Sequence, residues 1–239
     1  MEKHAKETPY FLNFNIPILL RGLLKVLNKP FSLVDLGCGD GSLLYALYHN
    51  NLLKDSKHIV GVDISKTRIK RLSYFCPFAD GIIADVQDLS QIHDNYFDIA
   101  ISTQVIEHVP SDFKMLQEVN RILKSGGYLY ISTVIKKRCG FWIYWNKGFK
   151  LDPTHVREYS SDQQFINLLR KTGFKVIKVE TKNVTYPLID LIIRLLIYLG
   201  LIKPQSDFYL RHSFLSKLRN LKFKVIGYQT IEVLSKVIK

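Results

Sequence analysis

An α/β fold with an open, doubly wound and mostly parallel sheet is what this 239-residue sequence predicts, and three observations predict it. Short apolar runs suited to buried strands alternate with segments whose apolar residues recur at three- and four-residue steps, the pattern of helices layered on a parallel sheet. The first run, Phe31, Leu33, Val34 and Leu36, turns through Gly37, Gly39 and Gly41 directly into a helical pattern. The composition, 47% hydrophobic and 23% charged, suits one packed domain in a chain long enough to bury a full core.

Residues 1–14 are charged and then aromatic, and they read as a loose arm. From 15 to 28, Ile16, Leu19, Leu20, Leu23, Leu24 and Leu27 mark one face of an amphipathic helix, with Pro17 suited to its first turn. The apolar group 16–20 is bounded by Pro17 and Arg21 with no small-residue cleavage site after it, so it does not read as a secretory signal.

The glycine loop at 37–41 lets backbone approach a ligand closely, at the start of a helix. A dinucleotide loop would read G-x-G-x-x-G with an acidic residue about twenty positions on. Here the third glycine comes one residue early and Ser42 takes its place, while Asp63 would serve a ribose in either case. Asp35 separates the alternatives. A carboxylate entering the loop repels a pyrophosphate and suits a ligand carrying a sulfonium and an ammonium group, which points to S-adenosylmethionine.

A second strand at 58–62 ends at Asp63, and Ser65 is a good N-cap for a basic helix over 66–74. A short third strand at 82–84 precedes Asp85 and Val86. The fourth strand, 97–102, leads into 103–110, at the carboxyl edge where open α/β sheets bind ligands. A helix over 111–124, stopped by Gly126 and Gly127, precedes a strand at 128–134.

Five blocks of this region stand in register: Val-Asp-Leu-Gly-Cys-Gly-Asp-Gly at 34–41, Gly-Val-Asp-Ile-Ser at 61–65, Ala-Asp-Val at 84–86, Phe-Asp-Ile-Ala-Ile-Ser-Thr-Gln-Val-Ile-Glu-His-Val at 97–109 and Leu-Lys-Ser-Gly-Gly-Tyr-Leu-Tyr-Ile-Ser at 123–132. In these the sequence resembles the class I S-adenosylmethionine-dependent methyltransferases, particularly the type 11 group that includes quinone-biosynthesis enzymes. The resemblance implies a Rossmann-like sheet with an antiparallel last strand, and a leading helix that covers the sheet edge. It also implies that Asp35, Gly37, Cys38, Gly39, Gly41, Asp63, Ile64, Asp85, Val86 and Gln104 bind the cofactor. Asp63 would hold the ribose, Asp85 and Val86 the adenine, and Gln104 the methionine end. Glu107 and His108 would approach the cavity.

Residues 135–159 interleave Phe141, Trp142, Tyr144, Trp145 and Phe149 with Lys136, Lys137, Arg138, Lys147 and Lys150. Such a segment could stack RNA bases or wall an apolar substrate pocket. The stretch 152–161 that follows carries His155 and Tyr159 and resembles the family's His-bearing segment. Ser161 and Gln164 form a capping box for a helix through Lys171, with Gly173 as its stop. Strands at 174–180 and 223–234 would form the antiparallel end of the sheet. Between them, 183–222 reads as a helical lid. Its apolar run 187–202 is broken only by Asp190 and Arg194, four residues apart and able to pair, and it is too short and charged for a confident membrane span. The basic residues Lys203, Arg211, Lys217, Arg219 and Lys222 follow.

The expected organisation is therefore a single domain over 1–239: an arm and helix to 30, a cofactor-binding core over 31–134, a substrate side over 135–182, the lid over 183–222, and a last strand and tail over 223–239. The expected activity is methyl transfer to oxygen or carbon of a small-molecule or lipid-like acceptor by direct displacement. Alignment of donor and acceptor is then the main task, worth about 7–11 kcal/mol at best, and no metal is required. Where a base is used, His155 and His108 are the candidates, with Glu107, Trp142, Trp145 and Tyr159 on the substrate side.

A net charge of +13 motivates two alternatives, RNA methylation and peripheral membrane contact through 187–224. Against RNA, the chain lacks an Asn/Asp-Pro-Pro-aromatic motif after the fourth strand, and Cys76 is misplaced for covalent attack on cytosine. A protein that binds the cofactor without catalysis is a third reading. Cys38, Cys76 and Cys139 are scattered, which predicts a reducing compartment without structural zinc, and a cytoplasmic location that includes the inner membrane face.

Overall fold

The computed structural model describes residues 2, 5, 10–27, 30–141, 144, 145, 149–152 and 154–239, with backbone alone at 144, 145, 149, 150 and 198. In chain order the elements are α1 Ile18–Val26, β1 Phe31–Leu36, α2 Ser42–His49, β2 Ser56–Asp63, α3 Lys66–Phe75, β3 Asp80–Ile83, β4 Phe97–Thr103, α4 Asp112–Ile122 and β5 Leu123–Lys136. There follow β6 Tyr144–Trp145, β7 Phe149–Lys150, α5 Asp162–Lys171, β8 Phe174–Pro187, α6 Leu188–Tyr198, α7 Phe208–Arg211, α8 Ser213–Leu218 and β9 Lys222–Val237.

Seven strands form one sheet in the order β3-β2-β1-β4-β5-β9-β8, while β6 and β7 pair separately. Strands β1 to β5 are parallel, and β9 runs antiparallel to both neighbours, as the sequence led us to expect. Every residue of β1 is buried because helices cover both faces of this central strand. On one face α1 contributes Leu19, Leu20, Leu23 and Leu24 against Leu33 and Tyr130. On the other, α4 contributes Met115, Leu116, Val119 and Ile122, and α5 Phe165 and Leu169. The predicted caps form: the Ser65 hydroxyl accepts from the Arg68 N–H, and the Ser161 hydroxyl from the Gln164 N–H.

Four local expectations give way. The helix expected over 111–124 ends at Ile122, and Leu123 turns extended (φ −77°, ψ 140°) to pair opposite Phe97, so β5 starts ahead of Gly126 and Gly127. The pairs Thr185↔Lys224, Tyr186↔Phe223 and Pro187↔Lys222 lengthen the β8–β9 hairpin, which shortens the insertion to 188–221. Asp190 does not depend on Arg194. Arg219 grips it through two nitrogens at 3.1 and 3.0 Å and the Tyr209 hydroxyl donates to it at 2.7 Å, while Arg194 lies 5.3 Å over the Tyr186 ring.

The described part of the arm from Tyr10 onward is docked, not loose. The Leu12 N–H donates to the Ser206 carbonyl at 2.8 Å, and the Phe11 ring meets Tyr209 edge-on, so the arm lies against the insertion. Among the described side chains of α6 only Ile193 is buried, whereas Leu188, Ile192 and Leu195, and Leu199 just after the helix, are about half exposed or more. No described helix is long and apolar enough to cross a membrane.

Candidate active site

The parallel strands bring Asp35, Asp63 and the segment after β4 to one carboxyl edge of the sheet. Gly37 turns with φ +73°, and a Cβ there would stand 2.3 Å from Val105 Cγ2, so only glycine lets β1 close against the loop beyond β4. The Gly37 and Cys38 N–H groups donate to the Val62 carbonyl at 2.7 and 2.9 Å, Gly39 N–H to Asp63 Oδ2 at 3.0 Å, and Gly41 N–H to the Cys38 carbonyl at 3.0 Å. These four donors are spent on the loop itself. What the cradle offers a ligand is negative charge: Asp35 is 1% exposed and its Oδ1 has no partner. A pyrophosphate would find spent donors and a carboxylate here. A sulfonium and ammonium ligand would supply what Asp35 lacks, so the residues fit S-adenosylmethionine.

Burial, and then the neighbouring Asp63, push the Asp35 carboxyl from 3.8 up to about 7. The folded protein thus retains a proton that the unfolded chain has lost, and this group's contribution to stability falls as pH rises from 3.8 to about 7. A cationic ligand reverses the preference. S-adenosylmethionine affinity is therefore expected to rise with pH up to about 7 and then level, with proton release on binding below that point. Calorimetry in buffers of different ionisation enthalpy checks this, and a flat profile with no proton release would remove Asp35 from the ligand's charge.

Asp63 also accepts from the Ser65 N–H through Oδ1 at 2.9 Å. Beside it Ile64 is half exposed, an apolar surface next to the Asp63 carboxylate. Asp85 holds an Asx turn, Oδ1 accepting from the Gln87 N–H at 2.9 Å, with Val86 buried next to it. Gln104 adopts φ +56°, a left-handed conformation in which its N–H reaches the Ser132 carbonyl at 3.0 Å. Such strain in a non-glycine, worth about 1–3 kcal/mol, concentrates at ligand sites. The Cys38 thiol turns away: its Sγ packs against Gly61, and burial raises its pKa well above the usual thiol value. Cys38 can serve a ligand only through its backbone.

Two residues that the sequence did not single out close this half of the site. The Tyr10 ring lies against Gly39, where a Cβ would stand 2.4 Å from its Cδ2, and the Arg68 guanidinium stacks 3.6 Å above the ring. Asp40, fully buried, accepts from Arg68 at 2.8 Å, from the Tyr10 N–H at 3.0 Å and from the Ser206 hydroxyl, with Arg71 at 3.4 Å. It joins the arm, α3 and the insertion at one carboxylate.

The other half gathers Glu107, His108, Asp152 and His155. Arg157 fastens the two loops together: its guanidinium donates to the carbonyls of Ile106, Val109 and Pro110, while the Val156 and Arg157 N–H groups donate to the Glu107 carbonyl. The imidazoles of His108 and His155 stand 4.8 Å apart, edge to face. His155 is buried, and its Nδ1 meets Glu158 Oε1 at 2.8 Å. Glu107 is fully buried, with Oε2 accepting from the Thr133 hydroxyl at 2.9 Å. Burial pushes its carboxyl up to about 7, against its own backbone N–H, His155 and Thr133. Burial also opposes ionisation of Asp152, but the Thr154 hydrogen bonds and the nearby His155 and His108 hold it below the usual carboxylate range.

The structure brings His108 and His155, which the sequence offered separately as candidate bases, to one place, with partners Asp152, Arg157 and Glu158 that carried no motif of their own. Tyr159 is a correction: it is 3% exposed in the core, bridges Ile135, and gives its hydroxyl to Asp112 at 3.0 Å, which makes it a support for the loop and not part of a substrate wall. Trp142 lies outside the described residues, and for Trp145 only the backbone, in β6, is described.

Comparison with known proteins adds a family to this geometry. The Methyltransferase domain of the type 11 group matches residues 34–131. The mouse arsenite methyltransferase is 30% identical over 115 residues, covering 43% of this chain and 30% of that protein. The ubiquinone biosynthesis O-methyltransferase of Nitrosomonas europaea is 26% identical over 108 residues, 43% of each. The matched part is thus less than half of either relative. The YcgJ protein of Bacillus subtilis shares the fold, with a TM-score of 0.65 at 17% identity over 92% of this chain and 98% of that one. With the sheet order, the glycine loop and the acidic ends of β1 and β2 in agreement, residues 34–131 carry a Methyltransferase domain of the type 11 group, on the fold of the class I S-adenosylmethionine-dependent methyltransferases.

Proposed function

We propose that this chain transfers the methyl group of S-adenosylmethionine to an oxygen or carbon of a small-molecule or lipid-like acceptor. The carrying observation is that two differently built half-sites share one sheet edge: carboxylates suited to a cation at the ends of β1 and β2, and the His108–His155 cluster beyond β4. Bound S-adenosylmethionine supplies an electrophilic methyl on sulfonium. The chain's part is to orient it through Asp35, Asp63 and Gln104, to exclude water with Tyr10 and the arm, and to take the acceptor's proton at an imidazole nitrogen of His155 or His108. The Nitrosomonas relative, by its name an O-methyltransferase of ubiquinone biosynthesis, supports an oxygen acceptor.

Incubation with label on the cofactor methyl and fractionated cell extract tests this. Label in small molecules or lipid supports it, and label confined to RNA or protein overturns it.

One observation favours a further reading, that residues 187–224 contact a membrane surface. Leu195, Leu199, Leu201, Phe214 and Leu221 are 57–71% exposed, in the same segment as Lys203, Arg211, Lys217 and Lys222. Apolar insertion combined with attraction to anionic headgroups is how peripheral helices bind. Co-sedimentation with anionic vesicles at low salt is expected, reduced by Leu195→Ser with Phe214→Ser. Equal recovery in the supernatant with and without vesicles would end this reading.

A further inference from the structure

A carboxylate oxygen of Glu107 and one ring nitrogen each of His108 and His155 lie within 4.8 Å of one another. Three features of their surroundings turn these groups into a donor set. Glu107 is 0% exposed, yet its Oε1 has no hydrogen-bond partner. Leaving such an atom buried and unpaired costs about 1–3 kcal/mol, more for a charged group, which a bound ligand would offset. Its second oxygen is held by Thr133, so the side chain cannot swing to solve the problem.

The hydrogen bonds also set the imidazole tautomers. Glu158 accepts from the Leu151 N–H at 2.8 Å and from the Tyr228 hydroxyl at 3.1 Å, and as a carboxylate it can only accept from His155. Neutral His155 therefore carries its proton on Nδ1 and its lone pair on Nε2. Around His108 the Thr154 hydroxyl donates to Asp152 Oδ1 at 2.6 Å, so its remaining role toward His108 Nδ1, 3.0 Å away, is acceptor. His108 likewise carries its proton on Nδ1. An imidazole that gives one N–H to a carboxylate or hydroxyl and keeps the other nitrogen basic is the arrangement that prepares a histidine for a metal.

We propose that Glu107, His108 and His155 form a site for a divalent transition-metal ion of the zinc class, on the acceptor side of the carboxyl edge. Two imidazoles and one carboxylate select such ions over magnesium or calcium, and three protein ligands leave a coordination position open. The absence of paired cysteines, from which the sequence led us to expect no structural zinc, bears only on thiolate sites. The ion's chemical role rests on the methyl-transfer reading. With the ion bound, both imidazoles are ligands and the ion replaces them as the means of deprotonation: an acceptor hydroxyl at the open position would lose its proton to solvent, its oxygen forming the new C–O bond as the C–S bond breaks and the sulfonium becomes the neutral thioether of S-adenosylhomocysteine.

The test uses the full chain, stripped with chelator and titrated with Zn²⁺, with Co²⁺ as a visible-absorbing probe, and with Mg²⁺. One Zn²⁺ or Co²⁺ per chain is expected, with Mg²⁺ far weaker. Glu158→Gln, which weakens the His155 support without touching a ligand, should weaken Zn²⁺ binding ~10- to 100-fold, and Glu107→Gln and His155→Gln should weaken it further. His93→Gln, on the exposed loop before β4, should leave it unchanged. S-adenosylmethionine affinity, measured on each variant, confirms that it folds and should be retained. Absence of stoichiometric Zn²⁺ or Co²⁺ binding, or equal affinity in Glu107→Gln, His155→Gln and the original chain, overturns the site. Loss of S-adenosylmethionine binding by the original chain overturns the methyl-transfer reading instead, so the two failures are distinct.

Discussion

Asp63→Ala is expected to weaken S-adenosylmethionine binding by about 3 kcal/mol or more, over a hundredfold. The size follows from the residue's double duty. Its Oδ2 holds the Gly39 N–H at 3.0 Å and its Oδ1 the Ser65 N–H at 2.9 Å, yet a carboxylate has about four acceptor sites, which leaves lone pairs for two ribose hydroxyls. Alanine removes both charge-assisted ligand bonds and also unpins the glycine loop, orphaning a buried donor at Gly39. Asp63→Asn should fare little better, because its amide group would face one of two backbone N–H groups with a donor. Calorimetry on the variants, with NAD as a parallel ligand, measures this. Undiminished S-adenosylmethionine affinity in Asp63→Ala, or tight NAD binding by the original chain, would displace Asp63 from the ribose.

The position of Asp63, like the glycine loop, was legible in the sequence because it is local: a strand end and a turn two residues from a helix cap are written in consecutive residues. The same holds for Asp85 and for the caps Ser65 and Ser161. Asp40 sits in the same loop and was passed over. Its partners come from positions 10, 68, 71 and 206, and no periodicity marks a residue whose meaning lies in contacts so far apart in sequence. The Asp190–Arg194 expectation failed for a related reason. Helical spacing makes that pair possible, but Arg219 offers two nitrogens to the carboxylate, and a bidentate partner outcompetes an intrahelical one. Around Leu123, helix propensity yielded to a parallel pairing with β4 that a linear pattern does not contain. His108 and His155 were named from the sequence, but the hydrogen bonds that assign their protons run through Thr154, Asp152 and Glu158, whose partnerships become visible only once the loop is folded onto Glu107.

Asp40→Ala is expected to cost about 3–5 kcal/mol of stability, a large share of what a domain of this size possesses. The side chains of Asp40 and Arg68 are 0% and 4% exposed, so the pair is shielded from solvent and its loss is not softened by screening. Removing the carboxylate takes from the Arg68 guanidinium, which is buried and stacked 3.6 Å over the Tyr10 ring, the acid it meets at 2.8 Å. Replacing both partners by apolar groups would cost less, because most of the penalty comes from leaving one buried charge when its partner is removed. The damage should also be directional. Asp40 accepts from the Tyr10 N–H and the Ser206 hydroxyl, and Leu12 is joined to the Ser206 carbonyl, so the arm and the insertion lose their common anchor beside the glycine loop. Urea unfolding should show the lowered stability, and amide exchange at Leu12 should accelerate by more than at the central strand residues Leu33 and Val34, which report global opening. A stability change below about 1 kcal/mol, the ordinary cost of a surface substitution or less, would mean that Arg68 finds another acceptor and that Asp40 is not what fastens the arm over the cofactor loop.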